Sequence, residues 1–156
     1  GTPATPVNLV GNPGFERSLA GWGGSRKPGI RLTRVRGGHE GHWSARVRRT
    51  KGHRTLAFRD APGWVPTSQA GTYRARLWVR ANRPGGSVRL RLRELRGDNS
   101  VGRTVVKVPL TRRWQRVGTA LETRASGRSR IELSAKVRGP RARMAVKVDQ
   151  VELTRS

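Results

Sequence analysis

The chain has 156 residues and a formal net charge of +25, which arises from 34 basic and 9 acidic side chains. This length suits one domain that folds without a disulfide or a metal, and the absence of cysteine excludes disulfides, thiolate metal sites and a cysteine nucleophile. No apolar run approaches the roughly 20 residues that span a bilayer. So strongly positive a protein attracts polyanions, including nucleic acid at low salt.

The chain opens with a segment unlike the rest. Residues 1–6 are rich in threonine and proline, which is typical of an extended linker between modules. We therefore predict a linker remnant at 1–6 and a single domain at 7–155, cut from a larger chain. Early in the domain, the Asn-Pro-Gly sequence at 12–14 predicts a turn, because proline fixes φ and glycine accepts a positive φ.

The strongest pattern in the remaining sequence is strict alternation of apolar and polar residues over short segments. The segments with this pattern are 44–48, 73–80, 88–93, 131–137 and 144–148. Glycine and proline separate them, as at 37–38, 84–86 and 97–99. We predict strands with one buried and one solvated face, assembled into an all-β, two-sheet antiparallel β-sandwich.

Arginine occupies most of the polar positions in two of these segments. The residues on the polar faces are Arg74, Arg76, Trp78 and Arg80 in the first, and Arg89, Arg91 and Arg93 in the second. If the two segments are neighbouring strands, their guanidinium groups form cross-strand rows about 5 Å apart, which suit the carboxylate, sulfate or phosphate groups of a polymer. The alternative is a solvated face whose arginines reflect the codon usage of a GC-rich genome. The sequence leaves open whether they line a concave or a convex sheet.

Several segments resemble, in order and spacing, the carbohydrate-binding modules of families 4, 9 and 22. These segments are NLVGNPGFERSLAGW at 8–22, GHWSARV at 41–47, GTYRARLWVRA at 71–81, RRWQRV at 112–117 and VKVDQVELT at 146–154. The resemblance implies a jelly roll with a galactose-binding-domain-like fold. It also implies a non-catalytic, polysaccharide-binding module of a secreted protein.

The resemblance further implies a structural calcium ion where the first and last strands meet. The matching residues are Asp149, Glu16 as a second carboxylate, and main-chain oxygens near Asn8 and Gly41. Calcium takes six to eight oxygen ligands, so two carboxylates need help from carbonyls and water. The family often has two acids in its last strand, whereas Gln150 follows Asp149 here. The alternative is that both carboxylates form salt bridges with arginines.

Tryptophan is the residue type that could stack on sugar rings, and the chain has five. Trp22, Trp43 and Trp114 match structural positions of the family motifs, and we expect them to pack. Trp78 matches such a position too, but alternation places it among the arginines. Trp64 lies between the motifs and is the candidate sugar contact. The histidines at 39 and 42 have a metal-like spacing, but the glycines around them predict a polar turn.

The acidic residues are scattered, several of them beside arginine, and no nucleophile motif accompanies them, so we predict that the chain is not an enzyme. We predict a monomeric carbohydrate-binding module of a larger extracellular or cell-wall protein that favours acidic polysaccharides and has no membrane span. The candidate ligand-binding residues are Trp64, Arg74, Arg76, Trp78, Arg80, Arg89, Arg91 and Arg93. Two alternatives stay open: a general polyanion or nucleic-acid binder, and a protein-binding adhesion module that has lost its glycan cleft.

Overall fold

The computed structural model describes residues 7–24, 30–49, 55–60, 63–138 and 144–156, so the predicted linker at 1–6 lies outside the described residues. Within these ranges the chain forms strands and no helix, and hence no helix able to cross a membrane. The strands are β1 (Trp22–Gly24), β2 (Ile30–Arg36), β3 (Trp43–Arg49), β4 (Thr55–Asp60), β5 (Thr72–Ala81), β6 (Ser87–Arg96), β7 (Asn99–Pro109), β8 (Gln115–Glu122), β9 (Arg130–Arg138) and β10 (Ala145–Arg155).

Two antiparallel sheets of five strands each make up the domain. One has the strand order β1-β4-β9-β6-β7, and we call it the front sheet. The other has the order β2-β3-β10-β5-β8, and we call it the reverse sheet. Many neighbours in each sheet are distant in sequence, as where β10 pairs with both β3 and β5. The predicted all-β sandwich is confirmed.

The core lies between the two sheets and follows from the alternation along each strand. The apolar residues of β5 and β6 that are at most 1% exposed are Tyr73, Ala75, Leu77, Val79, Ala81, Val88, Leu90 and Leu92. Burying a leucine or valine side chain contributes roughly 1.5–3 kcal/mol. This shared core therefore holds the sheets together and leaves every second residue facing solvent.

The two arginine-rich strands lie in different sheets. β5 pairs with β10 and β8, whereas β6 pairs with β7 and β9. The condition for a shared row is therefore not met, because Arg74, Arg76 and Arg80 do not neighbour Arg89, Arg91 and Arg93. The connection between β5 and β6 passes from one sheet to the other, so both strands turn their apolar residues to the same core and their arginines to opposite sides of the molecule.

The segment at 7–10 runs beside the last strand. The Leu9 amide donates a hydrogen bond to the Leu153 carbonyl at 2.7 Å. The Asn8 side chain donates to the Val151 carbonyl at 3.1 Å and accepts from the Leu153 amide at 3.0 Å. Asn8 thus fastens the start of the domain to β10, next to an irregularity in the pairing between Asp149 and Glu152.

The chain bends at 13–14, as predicted, but the positive φ falls on Phe15, at 58°, and not on a glycine of the 12–14 turn. Phe15 is fully buried, with its ring centroid 5.9 Å from that of Trp22 and 5.9 Å from that of Phe58. A positive φ at a bulky residue is strained, and this aromatic packing offsets the strain.

Candidate functional site

The solvent side of the front sheet, which we call the front face, brings basic side chains into register. Lys136, Arg89 and Lys107 are directly paired across β9, β6 and β7. In antiparallel strands such partners lie about 5 Å apart at Cβ. The basic residues whose register places them on this face are Arg59, Arg89, Arg91, Arg93, Arg103, Lys107, Lys136 and Arg138.

A groove with a volume of ≈ 390 Å³ lies elsewhere on the molecule, but the front face has its own groove of ≈ 270 Å³. Its lining residues are Arg89, Arg91, Arg103, Val105, Ser134, Lys136 and Arg138. Val105 is 48% exposed, which is unusual for an apolar side chain in this domain. The front groove therefore combines basic groups with one apolar contact.

Only one acidic residue of the front sheet faces this side. Glu132 accepts hydrogen bonds from Arg91 at 3.1 Å and from Arg93 at 2.8 and 3.0 Å. Asp60 and Glu94, the other acids of the sheet, are buried. Glu132 thus offsets part of the charge of Arg91 and Arg93 and leaves the rest of the face strongly positive.

Glu94 is turned inward, where it organises the connection between β8 and β9. It accepts hydrogen bonds from the amides of Arg124 and Ala125 at 2.8 and 2.9 Å and from the Ser129 hydroxyl at 2.6 Å. Burial raises the pKa of Glu94, but these hydrogen bonds outweigh burial and hold the pKa below its usual value. Glu94 is therefore a structural carboxylate at the end of the front sheet.

The front-face arginines lie close over the strands. The Nε atoms of Arg59, Arg89, Arg91 and Arg93 are buried and have no hydrogen-bond partner in the part of the chain that the structure describes. A buried donor without an acceptor costs about 1–3 kcal/mol. An anionic ligand that drew these side chains outward would supply the missing acceptors.

On the reverse sheet, most of the β5 residues that were predicted to bind a ligand contact other side chains of the protein. Arg76 forms a salt bridge with Glu152 at 2.9 Å. Trp78 lies with the arginines on the solvent side, as alternation predicted, but the His39 ring stacks on it with centroids 3.9 Å apart. Arg80 lies 5.9 Å above the Trp114 ring. Of the predicted β5 set, only Arg74 is left without such a contact among those described.

Trp64 lies at the edge of the core. Its ring centroid is 5.6 Å from that of Trp22, and the ring leaves no space for a side chain at Gly21 and little at Gly11. Trp22 in turn stacks on Phe58 with centroids 4.7 Å apart. Trp64 thus packs against the core, and it does not line the front groove, so its role as a sugar contact stays a prediction.

The larger groove, of ≈ 390 Å³, lies where the predicted calcium ligands meet. Its walls include Asn8, Glu16, Glu40 and Gly41. Glu16 accepts a hydrogen bond from the His42 amide at 2.7 Å, and a Cβ atom at position 41 would clash with the Glu16 carboxylate. The sequence motif did not point to Glu40, although it adjoins Gly41.

Asp149, the other predicted calcium ligand, lies beside this groove and not in its wall. The buried carboxylate accepts hydrogen bonds from the amides of His39, Glu40 and Gln150 at 2.8, 3.2 and 2.9 Å. Burial raises its pKa, and the negative charge of Glu16 adds to the rise. A cation near both carboxylates would relieve this repulsion, so the donor chemistry fits calcium. Among the described residues, however, no three His, Cys, Asp or Glu side chains cluster as metal ligands do.

No family model matches the sequence, and no curated protein matches it. The structure, in contrast, is similar to solved structures of carbohydrate-binding modules. TmCBM61 in complex with β-1,4-galactotriose is 21% identical, with a TM-score of 0.68 over 96% of this chain and 99% of that chain. The CBM22-1-GH10 modules of Clostridium thermocellum xylanase 10B, complexed with xylohexaose, are 16% identical, with a TM-score of 0.74 over 97% of this chain and 29% of that chain.

A third similar structure is the CBM22-2 xylan-binding domain of Paenibacillus barcinonensis Xyn10C, which is 15% identical, with a TM-score of 0.62 over 92% of this chain and 98% of that domain. The predicted resemblance is thus confirmed at the level of the fold: this chain has the jelly-roll β-sandwich of carbohydrate-binding modules.

Proposed function

Because the chain has the fold of carbohydrate-binding modules, we propose that it is a non-catalytic module that binds an anionic polysaccharide in the front groove. The observation that carries the proposal is the row of Lys136, Arg89 and Lys107, set beside Arg91 and Arg103 with Glu132 as the one acid on that face.

Electrostatic repulsion within this row favours an anionic ligand. Two unit charges about 5 Å apart repel by about 1 kcal/mol at the dielectric constant of water and by about 3 kcal/mol at an effective value near 20. The rigid sheet prevents the side chains from separating at their Cβ atoms. Carboxylate or sulfate groups spaced along a polymer would replace this repulsion by attraction, and arginine binds such groups in bidentate fashion.

The absence of an aromatic platform argues against a neutral glycan. No aromatic side chain of the described front-sheet strands faces solvent, since Trp22 and Phe58 both point into the core. Val105 is the apolar contact that the front groove offers to a sugar ring. Binding would therefore depend mainly on charge, and the same lack of aromatic side chains disfavours a single-stranded nucleic acid.

We also propose that calcium stabilises the loops around the larger groove, of ≈ 390 Å³. Glu16 and Asp149 would hold the ion together with main-chain oxygens near Asn8 and Gly41 and with water. The ion would be structural, because this groove lies among the loops at 13–16 and 40–41 and shares no lining residue with the front groove. The module would act as one part of a larger extracellular protein.

The test is binding to immobilised neutral and acidic polysaccharides at low and high salt, with duplex DNA as a competitor. We expect retention on polyuronate or sulfated glycan, weakening with salt because exposed charges are screened, and little retention on xylan or galactan. Binding to a neutral oligosaccharide that persists at high salt would contradict the charge-based specificity. Stronger binding to DNA than to any glycan would favour the general polyanion binder.

A front variant identifies the surface. In it, Arg89, Arg103 and Arg138 become glutamine, and none of them forms a described ion pair with Glu132. Each hydrogen bond to a charged group contributes about 1.5–3 kcal/mol, so we expect affinity for the acidic glycan to fall about a hundredfold or more. In the matched control, glutamine replaces Arg17, Arg96 and Arg128, which are exposed and lie outside the front groove. Equal losses in both variants would show that net charge, and not the groove, governs binding.

A further inference from the structure

The solvent side of the reverse sheet, which we call the reverse face, carries its own basic row. Lys147 in β10 pairs directly with Arg46 in β3 on one side and with Arg80 in β5 on the other. The three residues thus form a line across three adjacent strands. None of the three belongs to the front face, because the two sheets turn their polar residues in opposite directions.

The side chains of this row are confined. Arg46, Lys147 and Arg80 are all half-buried. The Lys147 ammonium approaches the Arg36 carbonyl at 3.4 Å, and Arg46 Nε is buried with no hydrogen-bond partner among the described residues. The charges therefore lie in a partly desolvated setting, where an anion gains more than at an open surface.

The nearby acids do not neutralise this row. Glu152 is engaged by Arg76 at 2.9 Å and by Arg116 at 3.7 Å. Asp149 is buried under the loop at 39–40, where main-chain amides hold its carboxylate. Glu122 pairs with Thr72 at the far end of β5. The row thus keeps its positive charge although acidic residues stand in the same sheet.

An indole lies at one end of the row. Trp114 precedes β8, and its ring centroid lies 5.9 Å from the Arg80 guanidinium carbon. The Trp114 and His39 rings are nearly perpendicular, with centroids 5.7 Å apart. The indole is only half-buried. A sugar that placed its anionic group on the row could therefore rest its ring against Trp114.

We propose that Arg46, Lys147 and Arg80 form a second anion-binding site for a charged sugar, and that the domain bridges two acidic polysaccharide chains, one on each face. The bridging rests on the proposed function of the front groove, whereas the reverse site stands on its own row. Since the sites face opposite directions, one short oligosaccharide cannot occupy both, and two separate chains can.

The experiment measures binding stoichiometry with a heparin hexasaccharide as the probe. Calorimetry is performed on the wild type, on the front variant, on a reverse variant with Arg46→Gln, Lys147→Gln and Arg80→Gln, and on the control variant lacking Arg17, Arg96 and Arg128. We expect the wild type and the control to bind two equivalents, and the front and reverse variants to bind one each. Thermal unfolding of each variant confirms that it is folded.

The outcomes separate the two proposals. A single equivalent in the wild type that disappears in the front variant and persists in the reverse variant would overturn the reverse site and leave the proposed function intact. A single equivalent lost only in the reverse variant would overturn the front groove and support the reverse site. Equal stoichiometry in all four proteins would overturn both the reverse site and the front groove, because neither basic row would then be needed for binding the hexasaccharide.

Bridging has its own measurement, the turbidity of mixtures with full-length heparin. We expect the wild type to form light-scattering networks near charge balance. The front variant and the reverse variant should each still bind the polymer, but their mixtures should be at least tenfold less turbid than those of the control variant, which carries the same net charge. Turbidity in the reverse variant equal to that of the control would overturn the bridging.

Discussion

Asp60 allows a direct test of how burial of a carboxyl group changes the stability of the domain with pH. It ends β4, is 6% exposed, and accepts a hydrogen bond from the Leu133 amide through Oδ1 at 3.3 Å. Its Oδ2 atom has no hydrogen-bond partner among the described residues. Burial raises the pKa of Asp60 from 3.8 to about 6, and the negative charge of Glu132 contributes to the rise. We propose Asp60→Asn, a neutral side chain of nearly the same shape, as the perturbation.

The sign follows from proton linkage. Between the unfolded pKa of 3.8 and the folded pKa of about 6, the folded state holds a proton that the unfolded state has released. The contribution of Asp60 to stability is therefore fully present below pH 3.8 and is lost as the pH rises through about 6. A shift of this size corresponds to about 3 kcal/mol.

The assay is urea unfolding of wild type and Asp60→Asn, followed by tryptophan fluorescence, at about pH 3.5 and about pH 7.5. We expect the free energy of unfolding of the wild type, relative to the variant, to be about 3 kcal/mol lower at the higher pH. Taking the difference removes the effect of the other carboxylates, which titrate in both proteins. A difference that does not change with pH would refute the reasoning, because Asp60 would then titrate alike in folded and unfolded chains.

Three further predictions concern the loops and the reverse face. Glu94→Gln should lower the free energy of unfolding by about 3 kcal/mol at neutral pH, since it weakens hydrogen bonds from two amides and from Ser129; unchanged stability in urea unfolding would contradict this role. Calcium should raise the melting temperature of the wild type but not of Glu16→Gln, and an equal rise in both would place the ion elsewhere. Trp78→Ala should lower stability by about 1 kcal/mol through loss of stacking on His39, with glycan affinity of the front groove unchanged; a parallel loss of affinity would show that Trp78 contacts the ligand.

Much of the fold follows from periodicity. The alternation at 73–80 and 88–93 predicted β5 and β6 and identified which residues of each face the core, because a strand turns successive side chains to opposite sides. The position of Trp78 among the solvent-side residues followed in the same way. The irregular pairing after Asp149 and the positive φ of Phe15 were beyond this pattern, since both depend on packing against segments far along the chain.

The two candidate sites differ in the same way: residues of one lie in recognisable segments, whereas residues of the other are brought together by strand pairing. Asn8, Glu16 and Gly41, which the sequence motifs selected, line one groove, and their role as calcium ligands stays a prediction. The reverse row was not predicted, although Arg46 and Lys147 both lie in alternating segments. Its members come from strands that are distant in sequence, and pairing between such strands leaves no local signal.

The amino-acid sequence by itself determined five of the ten strands, which are β3, β5, β6, β9 and β10, and the inward and outward residues of each. It also determined a charge that favours anionic partners. Only the tertiary structure decided that β5 and β6 belong to different sheets. Their arginines therefore form two separate faces on opposite sides of the molecule, and not one continuous surface. The physical reason is that alternation specifies the side of a strand to which a residue points. The neighbours of that strand are selected by how the whole chain closes around its core.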